Sequence, residues 1–115
     1  MQSVPFKINE VHGGLSSAHG AAYVDEEDLV LEIQMALLSF VKQRPKVYRI
    51  DLTDLESVEY DKGFREDRLT LRTRPMERLA GVPGVAEGQL CLRFARKERK
   101  GLAVLLDRLD LWRTD

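Results

Sequence analysis

Alternating apolar and polar residues recur along most of this chain, and this pattern predicts short β-strands. Apolar residues alternate with polar ones in segments 47–52 and 89–95, and in parts of 55–61 and 69–74. Weaker alternation marks 4–10 as a first strand and 21–24 as a short second strand. Segment 11–20, which holds three glycines and two histidines, is interpreted as the turn between them.

Segment 29–41 fits two templates. A strand would place Leu29, Leu31, Ile33, Met35 and Leu37 on one face, whereas a helix would form a stripe from Leu29, Ile33, Ala36, Leu37, Phe40 and Val41. The neighbouring segments are β, and a polar turn at 25–28 leads into this one. We therefore expect a strand to about residue 35, followed by an irregular or short helical connection.

The segments 55–61 and 69–74 predict a β-hairpin whose register can be derived from the sequence. If the turn is centred between residues 64 and 65, the numbers of paired residues sum to about 129. The resulting pairs are Val58 with Leu71 and Tyr60 with Leu69 on the inner face, and Asp61 with Arg68 on the outer face. Apolar phase and opposite charge agree with this one register.

The last segment changes period and predicts a helix over about 97–110. Its apolar positions follow helical spacing and would cover one open end of the strands: Leu102, Leu105, Leu106 and Leu109. We expect Trp112 to anchor the tail that follows.

Length and composition place the chain among soluble single-domain proteins. It has 115 residues, of which 43% are hydrophobic and 32% charged, and we treat 1–115 as one domain. No apolar run approaches the roughly 18 residues of a membrane span, and the first residues lack the pattern of a signal peptide. The single cysteine, Cys91, is typical of a reducing compartment, so we expect a cytoplasmic location.

The charges are unevenly distributed although the formal net charge is only −1. Residues 1–61 carry five Lys or Arg against eleven Asp or Glu, and residues 62–115 carry thirteen against eight. One interpretation is that an acidic half pairs with a basic half across strands. The other is a basic interaction face.

Several segments resemble poorly characterised bacterial proteins with the pleckstrin-homology (PH) superfold. They are the basic strand and turn of 46–59, strand 69–74, Gly81-Val82-Pro83-Gly84, strand 90–94 and the helix entry Arg96-Lys97-Glu98-Arg99. The resemblance covers about residues 23–112. It implies a mainly β, PH-like barrel of about seven antiparallel strands, capped by one C-terminal α-helix.

Motifs of catalysis and metal binding are absent from the sequence. His12 and His19 stand seven apart in a Gly-rich segment without an obvious third ligand, and Cys91 has no histidine placed beside it by sequence. The acidic run 25–28 lacks the ligand spacing of a calcium loop. We therefore predict no catalytic residue, no metal site and no cofactor.

Two clusters of cations remain as a candidate surface for an anion or a partner. The first surrounds Pro45 and comprises Lys42, Arg44 and Lys46, and the second lies on predicted strands and comprises Arg68, Arg72, Arg74 and Arg93. Relatives of the PH superfold in eukaryotes often hold phosphoinositides through basic residues of their first strand pair. Here the loop 11–17 contains no Lys or Arg, which argues against that specific activity.

Three functions follow as hypotheses from these observations. The first is a non-catalytic interaction module that binds a protein or peptide, since PH-like domains take peptides by strand addition at a sheet edge alongside the C-terminal helix. The alternative is peripheral binding to anionic membrane lipid through the basic strand face. A small enzyme or ligand carrier using the barrel mouth, with Tyr23, His12 and His19, is a third. The net charge argues against nucleic acid as a partner, and a homo-oligomer formed at a sheet edge stays open.

Overall fold

Seven antiparallel strands and one C-terminal helix form the protein, which confirms the predicted mainly β class. The computed structural model describes residues 3–11, 16–36, 45–74, 79, 81–83, 85 and 88–113. The strands are β1 (Val4–Val11), β2 (Ser16–Asp25), β3 (Asp28–Ala36), β4 (Lys46–Asp51), β5 (Leu55–Asp61), β6 (Glu66–Thr73) and β7 (Gln89–Ala95). Helix α1 spans Arg99–Arg113, and short 3₁₀ turns occupy Leu52–Asp54 and Arg96–Glu98.

All seven strands belong to one sheet with the order β4-β3-β2-β1-β7-β6-β5. The two edge strands, β4 and β5, are nevertheless joined by the three-residue turn Leu52–Asp54. A flat seven-stranded sheet would separate its edges by about 29 Å, so the sheet must curl until the two edges meet at this turn. Two backbone hydrogen bonds hold the corner: Leu52 N–H donates to the Glu27 carbonyl at 2.9 Å and Arg74 N–H to the Asp54 carbonyl at 2.7 Å.

The predicted register of the β5–β6 hairpin is confirmed. Val58 pairs with Leu71, Tyr60 with Leu69 and Asp61 with Arg68. A bulge between Leu55 and Ser57 shifts the register at the far end. Leu69 and Leu71 are fully buried, but Tyr60 keeps 40% of its surface exposed. Among the described residues, β6 is the one strand that pairs with β5.

The core lies between the curled sheet and α1. Three of the four helix leucines, Leu102, Leu105 and Leu109, are buried, whereas Leu106 is half-buried. The helix packs on β1, β2, β7 and the Leu52–Asp54 turn. Leu79 and Val82, from the long link before β7, also enter the core.

The second strand is longer than the sequence predicts, because it begins at Ser16 and not near Ala21. The interpretation of 16–20 as a turn is therefore wrong. Gly20, which suggested a turn, pairs with Phe6 and Ile33 inside the sheet. A Cβ at this position would collide with the Glu32 carbonyl oxygen, so glycine serves a close backbone approach within the strand.

The ambiguous segment that starts at residue 29 is a strand, as predicted, and extends to Ala36. Its inner face buries Leu29, Leu31 and Ile33. Val30 is also fully buried although it lies on the outer face, where Tyr23 and Arg49 are its cross-strand neighbours. The predicted connection 37–44 and the side chain of Trp112 lie outside the described residues.

Candidate functional site

The described histidine and cysteine that were considered for catalysis or metal binding, His19 and Cys91, are not brought together. His19 lies exposed on β2 and Cys91 half-buried on β7, with β1 between these strands. His12 lies outside the described residues. Within the part of the chain that the structure describes, no group of three or more His, Cys, Asp or Glu side chains could hold a metal ion. No helix among these residues is long and apolar enough to cross a membrane.

The candidate cations are distributed over different places of the sheet. Arg68 and Arg93 are direct cross-strand neighbours, and Lys7 on β1 extends the same row. Arg72 lies on the same outer face of β6, four residues along. Lys46 pairs with Ile33, on the opposite face of edge strand β4. Lys42 and Arg44 lie outside the described residues, so the role predicted for the full set stays a prediction.

Part of this basic face is engaged in ion pairs. Arg93 donates to Glu66 at 2.6 Å, and 18% of the Arg93 side chain is exposed. Arg74 lies 3.6 Å from Glu56 and is mostly exposed. Arg93 is thus a structural residue of the β6–β7 pair as well as a candidate anion ligand.

The uneven charge of the sequence is retained in the fold. Arg49 bridges Asp25 at 2.9 Å and Asp28 at 3.0 Å, and all three residues belong to the acidic half of the chain. Hydrogen bonds to Asp25 and then Asp28 raise the pKa of Arg49. The pairs of Arg93 and Arg99 lie within the basic half, while Arg74 with Glu56 joins the two halves. Of these ion pairs, one joins the acidic half to the basic half. Pairing between the halves is therefore not a sufficient reason for the uneven distribution of charge along the chain.

A buried carboxylate, which the sequence analysis did not identify, organises one end of the molecule. Asp67 on β6 has no exposed surface. It accepts hydrogen bonds from the Tyr60 hydroxyl at 2.7 Å, the Gly63 N–H at 3.2 Å and the Arg99 guanidinium at 2.9 to 3.2 Å. We call these four residues the Asp67 network.

The hydrogen bonds of Arg99 are the main cause of the low pKa of Asp67, which falls from its ordinary 3.8 to about 2. Those of Tyr60 and Gly63 act in the same direction, and burial opposes them. In turn, burial and the bond to Asp67 raise the pKa of Tyr60. The network is therefore an ionised pair with a phenol as an additional donor.

The Asp67 network fixes the tip of the β5–β6 hairpin, residues 62–65. Arg99 Nη2 donates to the Gly63 carbonyl at 2.5 Å, while the Gly63 N–H donates to Asp67. Both backbone polar groups of Gly63 are thereby bound. A Cβ at Gly63 would collide with the Glu66 carbonyl oxygen, so the tip requires glycine here.

The fixed tip presents Phe64 to solvent, with 85% of its surface exposed. Lys62 and Arg65 on either side are exposed as well. The turn predicted between residues 64 and 65 includes Phe64, but the sequence alone assigns this residue no role. A signal for Asp67 existed, because Asp67 shares the inner phase of β6 with Leu69 and Leu71, where a carboxylate requires a buried partner.

The outer edge of β5 is a second feature of this region. No further strand pairs with that edge among the described residues. Glu59 and Asp61 are exposed on its outer face, while Val58 and Tyr60 lie in the inner phase opposite Leu71 and Leu69.

Comparison with known proteins adds no assignment, because no family model, curated protein or solved structure matches the chain. The surfaces described above are therefore the basis for a functional proposal.

Proposed function

We propose that this protein is a non-catalytic interaction module with a PH-like fold, which binds an extended peptide along the edge of β5 opposite β6. The order of the strands supports the PH-like assignment: two runs of consecutive antiparallel strands, β1–β4 and β5–β7, meet between β1 and β7, and one C-terminal helix packs on them.

The observation that carries the proposal is the alternation of side chains along the β5 edge. A strand added there would meet Val58 and Tyr60 on one face and Glu59 and Asp61 on the other. Strand addition takes affinity from backbone hydrogen bonds and specificity from alternate side chains. The edge therefore selects a peptide that alternates apolar and basic residues.

The other side of β5 already binds a sequence of this kind. β6 pairs Arg68 with Asp61, and its leucines with Tyr60 and Val58. A second copy of β5 fits the edge poorly, because acidic residues would then face acidic residues. Charge complementarity thus favours a cationic peptide over a symmetric dimer at this edge.

An NMR titration tests the proposal with a peptide that copies residues 68–74. The expected result is that the backbone amides of β5 shift, and that Glu59→Lys combined with Asp61→Lys removes the response. A peptide with glutamate in place of its three arginines controls for charge, and one with proline at its centre controls for backbone pairing. Absence of shifts in β5, or equal binding of the proline peptide, would overturn strand addition.

A further inference from the structure

We infer that the end of the molecule around Phe64 is a docking surface for an anionic lipid bilayer, with Phe64 as the side chain that enters the interface. This surface lies beyond the β5 edge of the proposed function and does not depend on it. This end shares Arg68 with the basic face of the strands, and its other exposed cations do not belong to that face.

Several cations of the basic half meet at this end. Glu66 pairs with Ala95, so the hairpin tip before β6 and the 3₁₀ turn after β7 lie at the same end of the sheet. The exposed cations here are Lys62, Arg65, Arg68, Arg96, Lys97 and Lys100. We call them, together with Phe64, the basic end.

Few acidic groups oppose these cations. Glu66 is bound to Arg93 and Asp67 to Arg99, so these two carboxylates already have cationic partners. Asp61 and Glu98 are the remaining acidic residues of the same described segments, 61–68 and 93–100. The basic end therefore carries a clear excess of positive charge.

The acidic turn at 25–28 is distant from the hairpin tip. The Glu27 carbonyl contacts Leu52, just before the start of β5, whereas the hairpin tip follows the end of β5. A strand of seven residues separates them by about 20 Å. This distance exceeds the Debye length of about 8 Å at physiological salt.

Phe64 makes a bilayer a better occupant than a folded partner or a nucleic acid. An exposed aromatic ring between cations at a hairpin tip matches the arrangement that anchors proteins at a membrane interface. A bilayer accepts such a ring without a complementary pocket, and basic residues near the ring are attracted to anionic headgroups. The Asp67 network fixes the tip in advance, which lowers the entropy lost on docking.

Co-sedimentation with vesicles tests the inference on the full chain. We expect binding to phosphatidylcholine vesicles that contain about a third phosphatidylserine, and not to phosphatidylcholine alone. Binding should weaken between about 0.01 M and 0.15 M ionic strength, where the Debye length falls from about 30 to about 8 Å. Phe64→Ala should weaken it by about tenfold or more, as expected for loss of a buried aromatic ring, and Phe64→Trp should restore it.

Charge variants locate the surface. Lys62→Glu combined with Arg65→Glu should abolish vesicle binding, while Arg72→Glu combined with Arg74→Glu, on the strand face, should leave most of it. The reverse result would assign the strand face and overturn the inference. Far-UV circular dichroism verifies that each variant is folded.

Two competitors distinguish a bilayer from other anionic ligands. Inorganic phosphate should displace the protein from vesicles no better than sodium chloride of equal ionic strength. A single-stranded oligonucleotide should bind more weakly than the vesicles. Specific displacement by phosphate, or tighter binding of the oligonucleotide that depends on Phe64, would overturn the bilayer assignment.

Discussion

The Arg99 guanidinium at the first turn of α1 donates hydrogen bonds to both carboxylate oxygens of Asp67 in β6, 32 residues earlier in the chain. A second nitrogen of the same group reaches the Gly63 carbonyl. One side chain thus joins the helix, the strand and the hairpin tip. Since the helix closes the core and the tip presents Phe64, this contact connects the stability of the fold with the geometry of the basic end.

The buried pair predicts a specific dependence of stability on pH. The pKa of Asp67 is lower in the folded protein, about 2, than its ordinary 3.8. The folded state therefore binds this proton more weakly than the unfolded state does. The contribution is fully present above pH 4 and is lost as the pH falls from about 4 to about 2. Its size is about 2 kcal/mol.

Asp67→Asn isolates this contribution. We expect the variant to be less stable at pH 7 by about 3 kcal/mol, because it leaves the partly buried Arg99 without a counter-charge. The difference from the parent protein in the free energy of unfolding should narrow as the pH is lowered towards 2. Denaturant titrations at several pH values measure this stability difference. If the difference did not depend on pH, Asp67 would not be the ionised group that stabilises the fold.

The Tyr60 hydroxyl should contribute to stability through Asp67. Tyr60→Phe removes a donor at 2.7 Å from a buried carboxylate, and we expect a loss of about 1 kcal/mol. The matched control is Tyr23→Phe, because the Tyr23 hydroxyl lies 3.3 Å from Glu32 on the outer face of the sheet. Urea titrations of both variants should show the larger loss of unfolding free energy for Tyr60→Phe. Equal losses would mean that the Tyr60 hydroxyl does not stabilise the protein through Asp67.

Much of the fold follows from local pattern, and the β5–β6 hairpin shows why. Its register depends on alternation and charge within twenty residues, so the partners of Val58, Tyr60 and Asp61 can be predicted from the sequence alone. β2 was misjudged because Gly20 is required by a close approach to β3. A glycine that serves such a contact is indistinguishable in sequence from one that serves a turn.

The candidate site was less accessible to sequence reasoning, since it depends on contacts between distant segments. The phase of Asp67 indicates burial, but nothing local identifies Arg99 as its partner. The exposure of Phe64 likewise follows from the position of the tip, which the helix fixes. The uneven charge is visible in the composition. That the cations of residues 62–68 and 96–100 lie at one end of the molecule follows only from the pairing of β6 with β7.

The helix leucines should differ in their tolerance of charge. Leu105 is completely buried, so Leu105→Asp places an unpaired carboxylate in the core, and we expect no cooperative unfolding transition. Leu106 is half-buried, and Leu106→Asp should remain folded with its stability reduced by about 1 to 2 kcal/mol. Thermal denaturation followed by circular dichroism compares them; a folded Leu105→Asp protein would contradict the role of α1 in closing the core.

Gly63→Ala tests whether the tip requires its close backbone contact. The added Cβ would meet the Glu66 carbonyl oxygen, and a backbone atom cannot rotate away as a flexible side chain can. We expect the tip to shift, the hydrogen bonds of Gly63 to Asp67 and Arg99 to weaken, and the free energy of unfolding to fall by about 1 to 3 kcal/mol.

The control for this variant is Lys62→Ala, at the neighbouring exposed position. It should change the free energy of unfolding by no more than about 0.5 kcal/mol. Denaturant titration measures both variants, and amide exchange at residues 62–66 reports on the tip itself. If Gly63→Ala were as stable as Lys62→Ala and its tip equally protected, the hairpin would not depend on this contact, and Phe64 would lack the fixed base that the docking surface requires.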